Sequence, residues 1–414
     1  MVTHSDFIKM VPASLLERLA IRLKVDACNT VALPGAAVFT CLLNGVLNYN
    51  ELTLRLLEET YQEQTGRKAD HSSFGKRLAR LPVGYFASIF DHVRTKVKDS
   101  APGDKTPSTA VLRLRRVDAT IVTLSSKLLH FGIKTSHGTS CGKAENRVVR
   151  ARNQVKAVFE LDDDGVPGLL HVCQDQEEAS DNVAVGATMV AHATPGDLFV
   201  FDKGCHSRDR LLALHTAGAY FLTPHHQQSL KALRTLYAAN DSDRPTEAPH
   251  KGEADYILAR VEAAVFENGK KEKRFQALPL VVLHGFRFDT RNNVWREMTL
   301  ITNLPVSDGD DCAGPYTFSE LASVYRSRWD IELFFRLIKS RLGYRHLTSR
   351  TENGIRIIIY TVLIAALLLI WYRRAENITS GWRVAQARLA ERLRYWTAHT
   401  LAQALSGQTQ FLRD

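Results

Sequence analysis

Residues Ile357 to Tyr372 form an almost continuous run of apolar side chains, entered through Arg356 and left through Arg373 and Arg374. The run is shorter than the ~20 residues that an α-helix needs to span a bilayer. A helix that is apolar on all sides must then be enclosed by protein. The run therefore predicts a helix at the centre of a sizeable core, and it argues against a membrane-spanning segment.

The composition favours a globular protein with a polyanionic partner. A chain of 414 residues has room for two or three domains, and 45% hydrophobic with 24% charged residues is ordinary globular composition. The formal charge of +10 favours nucleic acid over small acidic ligands. The N-terminus has no basic segment followed by an apolar one, so no secretory signal is visible. Together these features predict a cytoplasmic protein that binds nucleic acid.

The cysteines are spaced too widely for a zinc knuckle, ribbon or finger. They are Cys28, Cys41, Cys141, Cys173, Cys205 and Cys312. We expect free core thiols in a reducing compartment.

A second helix, predicted over residues 317 to 341, carries charged and aromatic groups on one narrow face. At 100° per residue, Tyr325, Arg328, Glu332 and Lys339 fall at roughly 0°, 300°, 340° and 320° around its axis. Arg336 falls at roughly 20°, whereas Asp330 points away at roughly 140°. Such a face, flanked by apolar residues, indicates a site that contacts an anionic polymer. The alternative is a solvated face with ordinary ion pairs at helical spacing.

Changes in hydrophobic period divide the chain into five segments. The segments are a helical DNA-binding domain (1–108), a first part of a catalytic core (109–224), a β-rich insertion (225–316), the last helices of the core (317–372) and a helical tail that is a candidate dimerisation region (373–414). In 109–224 the pattern is three antiparallel strands followed by helix, strand, helix and strand. This order is the ribonuclease H-like layout, so the predicted fold class is α/β with a mixed sheet. The triple aspartate 162–164 with Gly165 is predicted to be the hairpin turn between the second and third strands.

A basic cluster lies in the N-terminal segment. Lys76, Arg77 and Arg80 fall on one helical face. The cluster indicates a DNA-reading surface, with a solvated face on a structural bundle as the alternative.

Three acids are predicted to meet at one edge of the sheet. Asp118 lies in the first strand, Asp202 ends a short buried strand, and Glu332 lies on the predicted helix. Carboxylates of this kind suit Mg²⁺, and two ions about 4 Å apart would serve an in-line displacement at phosphorus. The predicted chemistry is phosphoryl transfer without a covalent protein nucleophile.

At these residues the chain resembles a known family. Tyr325, Arg328, Glu332 and Lys339 have the Y-(2)-R-(3)-E-(6)-K spacing of the DDE transposases of the insertion sequence four family. Asp202-Lys203-Gly204 is similar to their second-aspartate motif. The resemblance covers residues from about 110 to about 372, and it implies an RNase H-like core with a β insertion between the second aspartate and the glutamate.

The resemblance also implies an activity. Asp118, Asp202 and Glu332 would hold two Mg²⁺ ions, with Mn²⁺ as a substitute. Tyr325, Arg328 and Lys339 would hold phosphates of the transposon end. A dimer would bind two terminal inverted repeats, nick them, form and reopen hairpins, and join the ends to target DNA. The protein would then be bacterial and associated with the nucleoid.

Some members of the family use a tryptophan in the insertion to stack on a base flipped out beside the hairpin. Here that position aligns with Met298, and Trp295 lies three residues earlier. Either could stack, or Trp295 could pack on the insertion's own sheet.

Two other functions remain open at this stage. A metal-dependent nuclease without strand transfer would need the same acids but no phosphate-gripping Tyr, Arg and Lys beside them. A DNA-binding repressor derived from a transposase would need no acids at all.

Overall fold

The structure is a computed structural model of the chain. It describes residues 2, 4–26, 33–100, 112–124, 131–133, 153–205, 207–224, 245–250, 255–266, 278–306, 316–345, 347–379 and 381–411. Of the six cysteines, Cys28, Cys141 and Cys312 lie outside the described residues, whereas Cys41, Cys173 and Cys205 are free and buried.

The N-terminal part is helical, as predicted. Its helices are α1 (His4–Met10), α2 (Ala13–Arg22), α3 (Gly35–Asn48), α4 (Leu54–Thr65), α5 (His71–Arg80) and α6 (Val83–Asp99). The ends of α4 follow local rules. Thr53 caps its first turn by accepting a hydrogen bond from the Leu56 amide, and Gly66 ends it in the left-handed conformation at φ 68°.

The central part begins with three antiparallel strands. They are β1 (Arg113–Thr123), β2 (Gln154–Leu161) and β3 (Pro167–Val172). The triple aspartate forms the predicted turn between β2 and β3, and Gly165 takes a φ of 69° there. Helix α7 (Asp181–Ala191), strand β4 (Asp197–Val200), helix α8 (Arg208–Thr216) and strand β5 (Tyr220–Pro224) then follow in the predicted order.

The inserted segment extends the same sheet. Its strands are β6 (Tyr256–Phe266), β7 (Leu278–Asp289) and β8 (Val294–Thr302). Strand β8 pairs antiparallel with β5, which gives one eight-stranded sheet in the order β3-β2-β1-β4-β5-β8-β7-β6. Strands β7 and β8 match the two β-rich runs of the insertion, residues 278–288 and 295–304, that the sequence pattern predicts as strands, whereas β6 was not predicted.

The last part contains α9 (Phe318–Arg326), α10 (Trp329–Arg341), α11 (Glu352–Ala375) and α12 (Trp382–Phe411). A capping box begins α9, because Thr317 and Glu320 cap one another's backbone amides. The prediction of one helix from 317 to 341 is wrong. The amide of Arg328 bonds to the carbonyl of Tyr325 and that of Asp330 to the carbonyl of Ser327, and this tighter three-residue spacing separates α9 from α10.

Helix α11 is the centre of the largest core, as the apolar run predicts. By length and composition it could cross a membrane, but 83% of its most apolar window is buried inside the structure. It packs on α3, α5, α6 and α12, and Phe90 of α6 meets Tyr360 of α11 with ring centroids 5.7 Å apart.

The N-terminal helices have no separate core of their own among the described residues. A single hydrophobic cluster joins them to α10, α11, α12 and the strands β1 to β3. Helix α12 closes this cluster, where Trp396 packs edge-on against Phe39 and donates its indole N–H to the Val11 carbonyl at 3.1 Å. The five-segment division remains a prediction, but segments 1–108 and 373–414 fold against each other.

Candidate active site

Two of the predicted acids lie side by side because of the sheet register. Strands β1 and β4 are parallel neighbours, and Arg116 is level with Val200. Asp118 and Asp202 each follow two residues later, so they leave adjacent strands at the same level. Neighbouring strands are about 4.8 Å apart. Asp202 also begins a turn in which its carbonyl accepts the Cys205 amide at 3.0 Å.

The third acid reaches this edge from the first turn of α10. Glu332 Oε1 accepts a hydrogen bond from Arg328 Nη2 at 2.8 Å. Arg328 Nη1 lies 3.9 Å from Asp118 Oδ2. One buried guanidinium, only 7% exposed, therefore links the acid on β1 to the acid on α10.

Aromatic and basic groups surround these acids. The Arg328 guanidinium lies 5.9 Å from the centroid of the Tyr325 ring and 5.5 Å from that of the Trp329 ring. Burial raises the pKa of Tyr325, with Asp202 and Glu332 adding to the effect. Burial lowers the pKa of Lys339, and the charge of Asp118 opposes that change. The structure thus brings each of the four residues of the helical face near at least one of the two strand acids.

Asp118 carries the most perturbed carboxyl group of the site. Burial raises its pKa to about 6, although its hydrogen bond from the Ala119 amide and the charge of Arg328 oppose this. Asp181, at the start of α7, and Glu332 raise it further. A desolvated carboxylate beside other acids is a group that a bound cation would stabilise.

The donor set fits Mg²⁺, which prefers carboxylate oxygens, water and substrate phosphate. The three acids nevertheless do not form a closed cage. Within the described ranges, three potential ligand atoms come within 4.8 Å of one another only at His171, Cys173 and Glu178, and at Glu58, Asp70 and His71. At the former, Glu178 accepts from His171 at 2.6 Å, so that contact is satisfied without an ion. At the predicted site, the Arg328 guanidinium lies between Asp118 and Glu332.

Comparison with known proteins gives the family. The family model described as the transposase DDE domain matches residues 111–368, more than half of the chain. The chain is 24% identical over 341 residues to a Synechocystis protein named as a transposase for insertion sequence element IS4SA, covering 80% of this chain and 81% of that protein. This chain belongs to the DDE transposases of the insertion sequence four family. The resemblance predicted from the sequence is therefore confirmed.

Two further similarities accompany this result. A Sinorhizobium fredii protein named as transposase y4zB is 27% identical over 303 residues, which is 73% of this chain and 71% of that protein. A solved structure of piggyBac transposase in a synaptic complex with hairpin DNA covers 94% of this chain and 79% of its own, at 9% identity and a TM-score of 0.47. That score is too low to establish a shared fold.

The raised pKa of Asp118 makes a prediction about the transposase. A proton and a metal ion compete for the same carboxylate. We therefore expect the affinity for Mn²⁺, measured by titration with electron paramagnetic resonance, to fall as the pH drops through about 6 and to level off above pH 7. An affinity that stays constant between pH 5 and pH 7 would contradict this assignment.

The raised pKa of Asp118 also predicts how the stability of the fold depends on pH. The folded protein holds this proton more tightly than the unfolded chain does, so the group stabilises the fold below its ordinary pKa of 3.8 and this contribution is lost as the pH rises through about 6. Asp118→Asn, which cannot ionise, should therefore gain thermal stability over the wild type at pH 8 but not at pH 4.

Three other predicted site residues lie away from these acids. Arg336 is exposed on α10. Trp295 is only 7% exposed, packs on Phe288 and donates its indole N–H to the Glu247 carbonyl, so it packs within the insertion, as the alternative prediction has it. Met298 is half-buried and packs against the cluster beneath α9. Trp295 therefore presents no free stacking face.

In the N-terminal basic cluster, Lys76 and Arg80 are exposed on α5, whereas the Arg77 side chain is half-buried and bound by other residues of the chain. It pairs with Asp26 and donates to the carbonyls of Leu33, at 2.9 Å, and Val25, at 3.0 Å. The sequence places these three residues on one face but cannot show that one of them is held internally.

Three residues near the acids were not predicted as site residues. Trp329 is 49% exposed beside Arg328. Asp181 pairs with the buried Lys156 at 2.8 Å. Asp330 pairs with the buried Arg116 at 2.6 Å. Trp329 and Asp330 lie within the signature, between Arg328 and Glu332, whereas Asp181 had no sequence signal.

Proposed function

We propose that this transposase binds the terminal inverted repeats of an insertion sequence and catalyses Mg²⁺-dependent cut-and-paste transposition. The observation that carries the proposal is the meeting of three acids from β1, β4 and α10 around one arginine. An acid triad beside cationic and phenolic groups is an arrangement suited to phosphoryl transfer on DNA.

The sheet supports an RNase H-like catalytic core. The order β3-β2-β1-β4-β5, with β2 antiparallel to its neighbours and β4 and β5 parallel to β1, is the order that layout requires. Ligands in open α/β sheets lie at the carboxyl ends of adjacent strands. Asp202 lies just beyond the carboxyl end of β4, and Asp118, midway along β1, is level with it.

Asp118, Asp202 and Glu332 would hold the metal ions. When bound, Mg²⁺ would stabilise the charge that develops on the attacking and leaving oxygens. The chain's own residues orient the DNA. Lys339 supplies a point charge for a phosphate near the scissile bond, and the Tyr325 hydroxyl supplies a hydrogen bond.

Arg328 has two sets of partners in this proposal. Without DNA its guanidinium neutralises Asp118 and Glu332, and its Nε is buried without a hydrogen-bond partner among the described residues. With Asp118 and Glu332 holding metal ions, Arg328 would be free to make a bidentate contact with a phosphate of the transposon end.

Trp329 is the aromatic residue of the site with an exposed face. Its indole stands one helical turn before Glu332, so it is placed to stack on an unpaired base beside the scissile phosphate. We assign to Trp329 the role that the sequence suggested for Trp295 or Met298.

Lys76 and Arg80, one turn apart on the exposed face of α5, are proposed to contact DNA phosphates. Each phosphate contact contributes about −0.9 to the slope of log K against log[salt]. Lys76→Gln with Arg80→Gln should therefore reduce the steepness of that slope by about 1.8 for end DNA, measured with the full chain. Arg77→Gln should lower the melting temperature, because it breaks a partly buried ion pair.

The control for this prediction is Lys9→Gln, which removes an exposed lysine from α1. If the salt slope of the double variant equals that of Lys9→Gln, then α5 does not contact the DNA phosphates. The full chain is required because α3 and α6 pack on α11 and α12, so a fragment of residues 1–108 would expose their apolar faces.

The active assembly is proposed to be a homodimer that holds two transposon ends before target DNA, associated with the nucleoid in the bacterial cytoplasm. Helix α12 was the candidate dimerisation region. Its apolar residues Leu389, Leu393 and Trp396 are buried within the chain's own core. A dimer interface in α12 must therefore use its polar face.

The decisive experiment incubates the purified protein with the ends of its own element and Mg²⁺. Hairpins on a denaturing gel, followed by joining to target DNA, would support transposition. Cleavage without hairpins or joining would favour the nuclease alternative. Tight binding without any cleavage would favour the repressor alternative.

A further inference from the structure

A buried arginine on β1 joins the strand of one acid to the helix of another. The Arg116 side chain is only 4% exposed. Its Nη1 donates to Asp330 Oδ2 at 2.6 Å and reaches the Ser327 carbonyl at 3.5 Å. Its Nη2 donates to the carbonyls of Asp162 and Asp163, the latter at 3.2 Å. One side chain therefore contacts β1, the start of α10 and the turn between β2 and β3.

These contacts lie next to the acids in sequence and in space. Arg116 is two residues before Asp118, so both side chains leave the same face of β1. Asp330 is two residues before Glu332 in the first turn of α10. The ion pair between Arg116 and Asp330 therefore fixes the helix that carries Glu332 relative to the strand that carries Asp118.

The triple-aspartate turn is the third element of this arrangement. Lys98 of α6 pairs with the Asp162 carboxylate at 2.6 Å, and Arg374 of α11 donates to the Asp164 carbonyl. Two helices thus contact the turn, and its Asp162 and Asp163 carbonyls accept hydrogen bonds from Arg116. Burial lowers the pKa of Arg116, and the charges of the three aspartates also act on it by opposing that change.

Stability alone does not account for Arg116. A buried guanidinium costs desolvation energy, and here its Nε has no hydrogen-bond partner among the described residues. Replacing a buried ion pair by apolar residues of similar volume is often neutral or stabilising. What an apolar residue cannot provide is directional contact to a helix and a turn at once.

We propose that Arg116, seated on the 162–164 turn, is a positioning residue that sets the separation of Asp118 and Glu332 through its ion pair with Asp330. The proposal rests on the proposed function, in which these acids hold the metal ions. It places Arg116 and Asp330 outside the chemistry, since neither touches the reacting atoms.

The test uses Asp330→Asn in the full chain. Asp330 is half exposed and asparagine has nearly the same shape, so the substitution removes the charge with little change of volume. We expect the affinity for Mn²⁺, measured without DNA by electron paramagnetic resonance, to fall roughly tenfold, as for other partners that orient metal ligands. Binding of end DNA at fixed salt should stay within about twofold, and added Mn²⁺ should restore cleavage.

The matched control is Asp255→Asn, which breaks the ion pair of Arg326 with Asp255 at 3.0 Å. That pair ties the end of α9 to the insertion without involving β1, so Mn²⁺ affinity should not change. Arg116→Met is a second variant. If it folds, as judged by its melting temperature, its Mn²⁺ affinity should match that of Asp330→Asn.

Arg116, Asp330 and the 162–164 turn together form the proposed clamp. Wild-type Mn²⁺ affinity in Asp330→Asn would overturn its positioning role. Glu332→Ala separates this result from a failure of the proposed function. If Glu332→Ala lowers Mn²⁺ affinity while Asp330→Asn does not, the clamp alone is wrong. If Glu332→Ala also leaves the affinity unchanged, the acids do not hold the metal, and the proposed function fails together with the clamp.

Discussion

Substituting alanine for Asp118, Asp202 or Glu332 is expected to lower the rate of DNA cleavage about a thousandfold or more. A ligand that holds Mg²⁺ contributes several kcal/mol of charge stabilisation in the transition state, and about 4 kcal/mol corresponds to that factor. Binding of end DNA should be nearly unchanged, because Lys76 and Arg80 lie on a different helix. The measurement is single-turnover cleavage of labelled end DNA beside a mobility-shift titration.

Asp209→Ala is the control, because Asp209 is an exposed acid on α8 only seven residues after Asp202. It should cleave at the wild-type rate. Residual cleavage within tenfold of wild type in any triad variant would remove that residue from the triad. Replacing Mg²⁺ by Ca²⁺ should permit binding with little cleavage, because Ca²⁺ takes looser and higher coordination.

Arg328→Ala and Lys339→Ala are expected to slow hairpin formation ten- to a hundredfold on a substrate that is already nicked. A charge-assisted contact is typically worth ~1.5 to 3 kcal/mol, which gives that range if the contact is lost only in the transition state. The initial nick should be less affected, because the later steps need the cleaved end held while it is repositioned. Arg328→Lys should not rescue, since an ammonium cannot make the bidentate contact.

This assay should be run at saturating Mg²⁺, because Arg328 also contacts Asp118 and Glu332 in the structure. Arg388→Ala, which removes an exposed arginine from α12, serves as the control. If Arg328→Ala and Lys339→Ala convert the nicked substrate at the wild-type rate, these two residues are structural and their assignment to the DNA end is wrong.

The sequence predicted helices and strands well where the hydrophobic periodicity and the turn residues agree. Strand β2, the triple-aspartate turn and β3 were predictable because apolar alternation stops at Asp162 and resumes after Gly165. Strand β4 was predictable from its short apolar run ending at Asp202. Strand β6 was not predicted, and its pairing with β7 is visible only in the structure.

Long-range polar pairing explains most of what could not be predicted. Arg77 forms an ion pair with Asp26, which lies 51 residues earlier in the chain. Trp295 donates a hydrogen bond to a carbonyl 48 residues earlier. Arg116 and Asp330 are 214 residues apart. Such pairs cannot be read from helical or strand periodicity, whereas the proximity of Asp118 and Asp202 was predictable because the strand order places them on adjacent parallel strands.

The position of α11 in the chain has a consequence for the order of synthesis. Helices α3 and α6 bury their apolar faces against α11 and α12, which lie roughly 250 to 330 residues later and take about 10 to 70 seconds more to emerge at ordinary translation rates. During that interval the N-terminal helices lack the partners that complete their core. We therefore expect helix α5 and the acids Asp118, Asp202 and Glu332 to reach their native positions together, after the last helices have been made.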